Sequence, residues 1–63
     1  MTNREKLLHL AAQIDQIERE LRPIWTDPKE SFSAKHETGV CMGVLQSASR
    51  RITKLAGLAK DTL

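Results

Sequence analysis

The sequence contains one cysteine, one tryptophan, one phenylalanine and no tyrosine among its 63 residues. The lone Cys41 excludes a disulfide within the chain, and a single cysteine with two separated histidines does not form a metal-ligand set. No apolar run approaches the roughly 18 residues that a membrane helix needs. The N-terminal residues, which include Glu5 and His9, lack the apolar core of a signal peptide. These absences predict a cytoplasmic protein with no cofactor, no metal and no membrane partner.

A chain of 63 residues forms at most one domain, and we treat residues 1–63 as that domain. Below about 70–80 residues a hydrophobic core rarely supplies more than about 3–5 kcal/mol, so small proteins rely on disulfides, metals or self-association. Only self-association is open to this chain, which is therefore predicted to be a homo-oligomer. Its ten basic and eight acidic residues give a net charge of +2, which permits an anionic partner without requiring one.

The first part of the chain has the pattern of an amphipathic helix. Thr2 followed by Glu5 is typical of a capping box at a helix N-terminus. Aliphatic residues then recur at alternating spacings of three and four, which is a heptad stripe: Leu7, Leu10, Ile14, Ile17, Leu21 and Ile24. Pro23 cannot donate to the helical hydrogen-bond ladder, so this helix is predicted over residues 3–22.

A second helix is predicted after a short connection over residues 23–27. Asp27 with Pro28 suits an N-cap followed by the first helical position, which predicts a helix over residues 28–60, although Ser31 and Ser33 are rival caps. A second stripe of period 3.5 runs from Thr38 to Ala59. Because this stripe crosses Gly39 in register, one long helix is favoured over a break at Gly39 that would give three helices.

These patterns predict an all-α fold: an antiparallel helical hairpin that dimerises into a four-helix bundle. Gly39, Gly43 and Ser47 form a track of small residues that would allow close approach of another helix. The residues predicted to contribute to the oligomer interface are aliphatic or small, and they are Leu7, Leu10, Ile14, Ile17, Leu21, Gly39, Gly43 and Val44.

Catalysis is the least favoured function, because a hairpin of this size has little interior in which to build a pocket. Cys41 and His36 are five residues apart, which places them about 140° apart around a helix, so they would not meet within one chain. Cys41 lies on the second stripe and is predicted to be a small buried residue. His9 and His36 are predicted to face solvent.

Two groups of residues are candidate binding sites. Arg50, Arg51 and Lys54 are predicted to share an outward face, where a solvated basic surface is favoured over phosphate binding. The aromatic residues lie in or next to the connection, together with basic residues, in a set formed by Trp25, Lys29, Phe32, Lys35 and His36. A hydrophobic lid over the end of the bundle is the favoured interpretation of this set, and a recognition patch that takes a ring or an anion is the alternative.

A 63-residue helical hairpin that dimerises and presents a basic face resembles, in outline, the plasmid RNA-binding regulators of the Rop family. The opening Met1-Thr2 and the pair Glu5-Lys6 are also similar. Pro23, Gly39 and Gly43 depart from the unbroken helices that this resemblance implies, so it is an analogy of architecture. Small phage-encoded or plasmid-encoded proteins that inhibit a host activity are similar in size and helical character.

The leading hypothesis is a non-enzymatic, self-associating helical protein that binds a partner protein and regulates or inhibits it. The alternative is a helical bundle that binds RNA or sequesters an anionic nucleotide through its basic residues. The two hypotheses differ in salt dependence, because phosphate contacts weaken steeply with salt whereas an apolar protein interface does not.

Overall fold

The computed structural model describes residues 2–59, which form two α-helices and no strand. Helix α1 covers Asn3–Trp25 and helix α2 covers Phe32–Leu58. Contacts between them run in opposite directions along the two helices: Trp25 touches Gly39, Glu18 meets Gln46, and Asp15 meets Ser49. The described chain is thus an antiparallel helical hairpin, as the sequence predicts, with extents of 49 × 15 × 10 Å.

Helix α1 begins with the predicted cap. The backbone N–H of Glu5 donates to Thr2 Oγ1 at 3.1 Å, and the same hydroxyl donates to Glu5 Oε1 at 3.1 Å. This contact satisfies one of the free N–H groups of the first turn.

The predicted end of α1 at residue 22 is wrong by three residues. Pro23 lacks an N–H and removes one hydrogen bond of the ladder, but the groups after it continue to bond. The N–H of Thr26 donates to the Arg22 carbonyl at 3.1 Å, and that of Asp27 donates to the Ile24 carbonyl at 3.2 Å. A proline within the last turn costs one hydrogen bond and does not end the helix there.

The predicted start of α2 at residue 28 is also wrong, because Asp27 makes a turn instead of a helix cap. Its carboxylate accepts from the N–H of Lys29 at 2.9 Å, and its carbonyl accepts from the N–H of Glu30 at 3.2 Å. Ser31, one of the rival caps, accepts from the N–H of Ala34 at 3.2 Å and starts the helix. The connection therefore covers residues 26–31.

Helix α2 continues without a break through Gly39 and Gly43 and ends at Leu58. Gly39 has a packing role, because a Cβ added there would lie 3.0 Å from Trp25 Nε1. A Cβ at Gly43 would meet nothing within 4 Å. Among the described residues no glycine has a positive φ, so Gly57 does not form a left-handed cap. The predicted extension to Lys60 lies outside the described residues.

The interface between the helices is narrow and uses only part of each predicted stripe. In α1 its most buried members are Ala11 and Glu18, flanked by half-buried Leu7, Ile14 and Leu21. In α2 the most buried residues are Met42, Ser49 and Ala56, which are spaced by seven. No large side chain in the described hairpin is fully buried.

Polar contacts fix the alignment of the two helices. Glu18 is only 8% exposed, and its carboxylate accepts from Arg22 Nη2 at 2.5 Å and from Gln46 Nε2 at 3.2 Å. The hydroxyl of Ser49 donates to Asp15 Oδ1 at 2.7 Å. Glu18 is not a member of the predicted heptad stripe, so its burial does not follow from the sequence pattern. Sliding one helix along the other by one turn would break both contacts. It is unfavourable because it would leave the buried polar groups of Glu18 and Ser49 without these partners.

Candidate functional site

The hairpin leaves a large apolar surface uncovered on one side. In α1 the outward members of the heptad stripe are Leu10, Ile17 and Ile24, whose exposed fractions are 38%, 48% and 42%. Each precedes a residue that faces α2, so each side chain is turned about 100° away from the interface between the helices. In α2 the residues that precede Met42, Ser49 and Ala56 hold the same position, and they are Cys41, Ala48 and Leu55.

These two rows lie on the same side of the hairpin. The helices are antiparallel, so stepping back by one residue turns the side chain toward the same side in both. The opposite side of the hairpin has two shallow grooves: Asp15 and Arg50 line one, and Arg22 and Gly43 line the other. The residues that line these grooves differ from those of the two apolar rows, which agrees with the rows lying together on the first side. We call the six residues Leu10, Ile17, Ile24, Cys41, Ala48 and Leu55 the apolar face, and the opposite side the polar face.

The hairpin is elongated, so it exposes more surface than a compact chain of the same mass. The hairpin exposes 4983 Å², whereas a compact monomer of 7.1 kDa is expected to expose about 4,100 Å². The excess of about 900 Å² is consistent with the shape of two helices packed side by side, with extents of 49 × 15 × 10 Å.

The residues predicted for the oligomer interface are divided among three places. Leu7, Ile14, Leu21 and Gly39 are half-buried and lie between the two helices of one chain. Leu10 and Ile17 lie on the apolar face, and Val44 is exposed at its outer edge. Gly43 opens onto the polar face.

Cys41 is exposed in the described hairpin, so its predicted burial is wrong for a single chain. It lies on the apolar face, which only another molecule would cover. His9 and His36 are both exposed, as predicted.

The polar face carries cations from both helices. Arg19 and Arg22 of α1 and Arg50 and Lys54 of α2 turn toward this side, and all four are exposed. Asp15 lines the groove beside Arg50. Arg51, predicted to share a face with Arg50, is exposed on the far side of α2 from α1, so the predicted group of three is divided.

An open cavity of about 430 Å³ lies where the connection enters α2. We call its lining residues the loop-end cluster: Trp25, Glu30, Phe32, Lys35 and His36. Phe32 is 84% exposed, and its ring lies over that of His36 with centroids 6.2 Å apart and planes at 19°. Phe32 therefore does not form the predicted lid in this hairpin. Lys29 is exposed in the turn and does not line the cavity.

Trp25 links this cavity to the polar face. Its indole Nε1 lies against Gly39, and the ring also lines the groove that contains Arg22 and Gly43. The absence of a side chain at Gly39 lets the ring pack against the backbone of α2, and Gly43 adds open space in the same groove. An aromatic surface with nearby cations offers a contact for an apolar side chain or for a planar anion.

Comparison with known proteins finds no matching family model, curated protein or solved structure. Within residues 2–59 neither helix combines the length and apolar character needed to cross a membrane. The same part of the chain holds no group of three or more His, Cys, Asp or Glu side chains arranged to hold a metal ion.

Proposed function

We propose that this protein is a non-enzymatic, self-associating helical protein that binds a partner protein and regulates or inhibits it. The observation that carries the proposal is the apolar face, which is supplied by both helices and is left open by the fold of one chain. Burial of aliphatic surface is the main favourable term in protein association, so a second copy of the same face is a suitable cover. The assembly would then be a four-helix bundle of two hairpins.

The loop-end cluster is the proposed docking site for the partner protein. It lies at one end of the hairpin and remains open when the apolar face is covered. Trp and Arg are enriched among residues that dominate binding energies, and an exposed Phe32 beside Trp25 offers an aromatic anchor. The chain has no other aromatic residue, and both are placed where they are only partly covered.

The test asks whether the loop-end cluster is the docking site for the partner protein. The protein and its Phe32→Ala variant are used to capture partners from extract of the source cell, and captured proteins are then purified and titrated against both forms. The expected result is a purified partner whose Kd rises at least tenfold with Phe32→Ala and changes little with Arg50→Ala. A partner whose affinity ignores Phe32→Ala would exclude the loop-end cluster as the docking site.

A second candidate function is binding of RNA or an anionic nucleotide, which the cations of the polar face favour. Arginine pairs with phosphate in a planar, bidentate way. Arg50 lines one of the two grooves on the polar face, and Arg22 lines the other, beside Trp25. Because Trp25 is the only tryptophan, its emission reports directly on ligands near this groove.

Titration with a short single-stranded RNA and with ATP distinguishes this candidate. Phosphate binding predicts quenching of Trp25 emission at low salt and weaker binding by Arg50→Ala. The Kd for the RNA should also rise between 50 and 200 mM salt, by about 50-fold if all four cations of the polar face contact phosphates. Unchanged emission and no binding of either ligand at low salt would remove the candidate. Glu37→Ala serves as a matched control, because Glu37 is exposed and lies on α2 away from the polar face.

A further inference from the structure

We infer that the loop-end cluster binds an acidic segment of the partner protein, in which an apolar side chain stands next to a carboxylate. This inference rests on the proposed docking of a partner at the cluster, and it specifies the chemistry of that partner. The cavity of about 430 Å³ offers an apolar wall for the side chain and a half-buried lysine, Lys35, for the carboxylate.

Two aromatic rings form the apolar wall of the cavity. Trp25 lies against Gly39 on one side, and 47% of its surface remains exposed. Phe32 is 84% exposed, and its ring is stacked with that of His36. Aromatic side chains contribute large apolar areas when they are buried at an interface, so an apolar side chain of a partner would gain from covering these two rings.

Lys35 supplies a positive charge from the inner side of α2. It lies one turn before Gly39, on the face of α2 that contacts α1, and it is half-buried. Within residues 2–59 its ammonium group has no ion pair and no hydrogen bond. Partial burial deprives a charge of some of its hydration, so an anion brought to Lys35 would recover part of that loss.

The acidic residues of the connection are already engaged by the backbone. The Asp27 carboxylate accepts from the N–H of Lys29 at 2.9 Å, and the Glu30 carboxylate accepts from the N–H of Ser31 at 2.9 Å. The ammonium group of Lys29, like that of Lys35, is unpaired in the described part of the chain. The cations at this end are therefore the groups that an incoming ligand can still pair with.

Exposure decides which of the two charged residues lining the cavity has the stronger effect. Lys35 is half-buried on the face of α2 toward α1, whereas Glu30 is exposed in the connection. Charges interact more strongly where water is partly excluded, because screening by solvent is weaker there. The attraction of a carboxylate to Lys35 therefore exceeds its repulsion by Glu30, and the balance is reversed for a basic segment.

The experiment selects peptides from a random library that lacks tryptophan and is displayed on phage. Peptides that also bind the Phe32→Ala variant are removed first. The expected sequences carry an aspartate or glutamate next to a phenylalanine, leucine or isoleucine. A selected peptide is then synthesised and titrated against the protein, and the emission of Trp25, the only tryptophan of the chain, reports binding at the cavity.

Two substitutions with opposite expected effects test the charge of the ligand. Lys35→Gln should raise the peptide Kd by about fivefold, because it removes the attracting cation, and Glu30→Gln should lower it by about threefold, because it removes a repelling carboxylate. The Glu30→Gln side chain keeps an oxygen that can accept from the N–H of Ser31. Lys29→Gln and Glu37→Gln are the matched controls, since both residues are exposed and neither lines the cavity. Each control should change the Kd by less than about 1.5-fold, because solvent and salt screen exposed charges.

Failure of the charge assignment and failure of the proposed docking site give different results. Neutral or basic peptides that depend on Phe32, or a Kd that Lys35→Gln leaves unchanged or lowers, would overturn the acidic ligand and leave the cluster as a docking site. If no peptide distinguishes the protein from Phe32→Ala, the acidic segment is overturned, and the titration of the purified partner decides the docking site separately. Quenching of Trp25 emission by a short RNA that Lys35→Gln removes, with no peptide bound, would assign the cavity to nucleic acid and also overturn the inference.

Discussion

The two sides of the hairpin are built from the same helices and differ in what their side chains can do without a partner. On the polar face, Arg22 pairs with Glu18 and Ser49 bonds to Asp15, so the exposed groups there are satisfied by the chain and by water. On the apolar face, Leu10, Ile17 and Leu55 have no such partners and remain accessible. Folding of one chain therefore satisfies the side chains of the polar face and leaves the apolar face exposed, and the apolar face is the side that we propose for association.

The residues of the heptad stripe in α1 likewise turn in two directions. In a two-stranded coiled coil both positions of a heptad stripe face the same partner helix. Here Leu7, Ile14 and Leu21 turn toward α2 while Leu10, Ile17 and Ile24 turn outward. In the proposed four-helix bundle each helix would have two neighbours, and a divided stripe would meet both of them.

The largest expected effect comes from placing a charge on the apolar face. Ile17→Glu should abolish dimerisation, because a carboxylate buried without a partner costs several kcal/mol, and the Kd should rise more than about 100-fold. Sedimentation equilibrium measures the change. Arg19→Glu reverses a charge on the polar side of the same helix and should leave the dimer intact. Equal loss by both variants would show that the two sides do not differ in the way described.

A smaller effect is expected from the buried carboxylate that aligns the helices. Glu18→Ala removes the acceptor for Arg22 and Gln46, and we expect the free energy of unfolding to fall by about 1–2 kcal/mol. Urea denaturation followed by circular dichroism measures it. Glu37→Ala removes an exposed carboxylate with no hydrogen bond of this kind and should change stability by less than about 0.5 kcal/mol. An unchanged free energy of unfolding in the Glu18→Ala variant would mean that these contacts do not align the hairpin.

The smallest effect distinguishes the two glycines within α2. Gly43→Ala should stabilise the protein by about 0.5–1 kcal/mol, because alanine favours a helix and the site is open. Gly39→Ala should gain less or lose stability, since its Cβ would lie 3.0 Å from Trp25 Nε1. Thermal denaturation gives the stabilities, and a shift of Trp25 emission in the Gly39→Ala variant alone would report the displaced ring. Identical effects of the two substitutions would argue against the Trp25 contact.

Much of the fold follows from local sequence signals. Thr2 with Glu5 and the period of the aliphatic residues predict α1 and its first turn, and the second stripe predicts that α2 passes through Gly39. The errors occur where several local signals compete. Asp27, Ser31 and Ser33 are all good caps, and the choice of Ser31 depends on how the turn at Pro28 closes. Pro23 breaks a helix in its interior but is tolerated in the last turn, and the sequence alone does not fix where that turn lies.

The candidate site is less accessible to sequence reasoning, because exposure depends on how the helices rotate about their axes. The period of the stripes does not say which half faces α2, so the prediction that Cys41 is buried is wrong, and the burial of Glu18 does not follow from the stripe. A signal was present in the sequence: Met42, Ser49 and Ala56 recur at intervals of seven beside the predicted stripe. Ser49 and Ala56 are small enough to allow a close helix contact, and the larger aliphatic residues of the predicted stripe obscure this second pattern.

The most direct test of the account is the molar mass of the unchanged protein in solution, measured by sedimentation equilibrium over a wide concentration range. The account predicts a reversible dimer of about twice the 7.1 kDa chain mass, with thermal stability that rises with protein concentration. A 7.1 kDa species that unfolds cooperatively at a temperature independent of concentration would contradict it, because the apolar face would then be stable in water without a second copy.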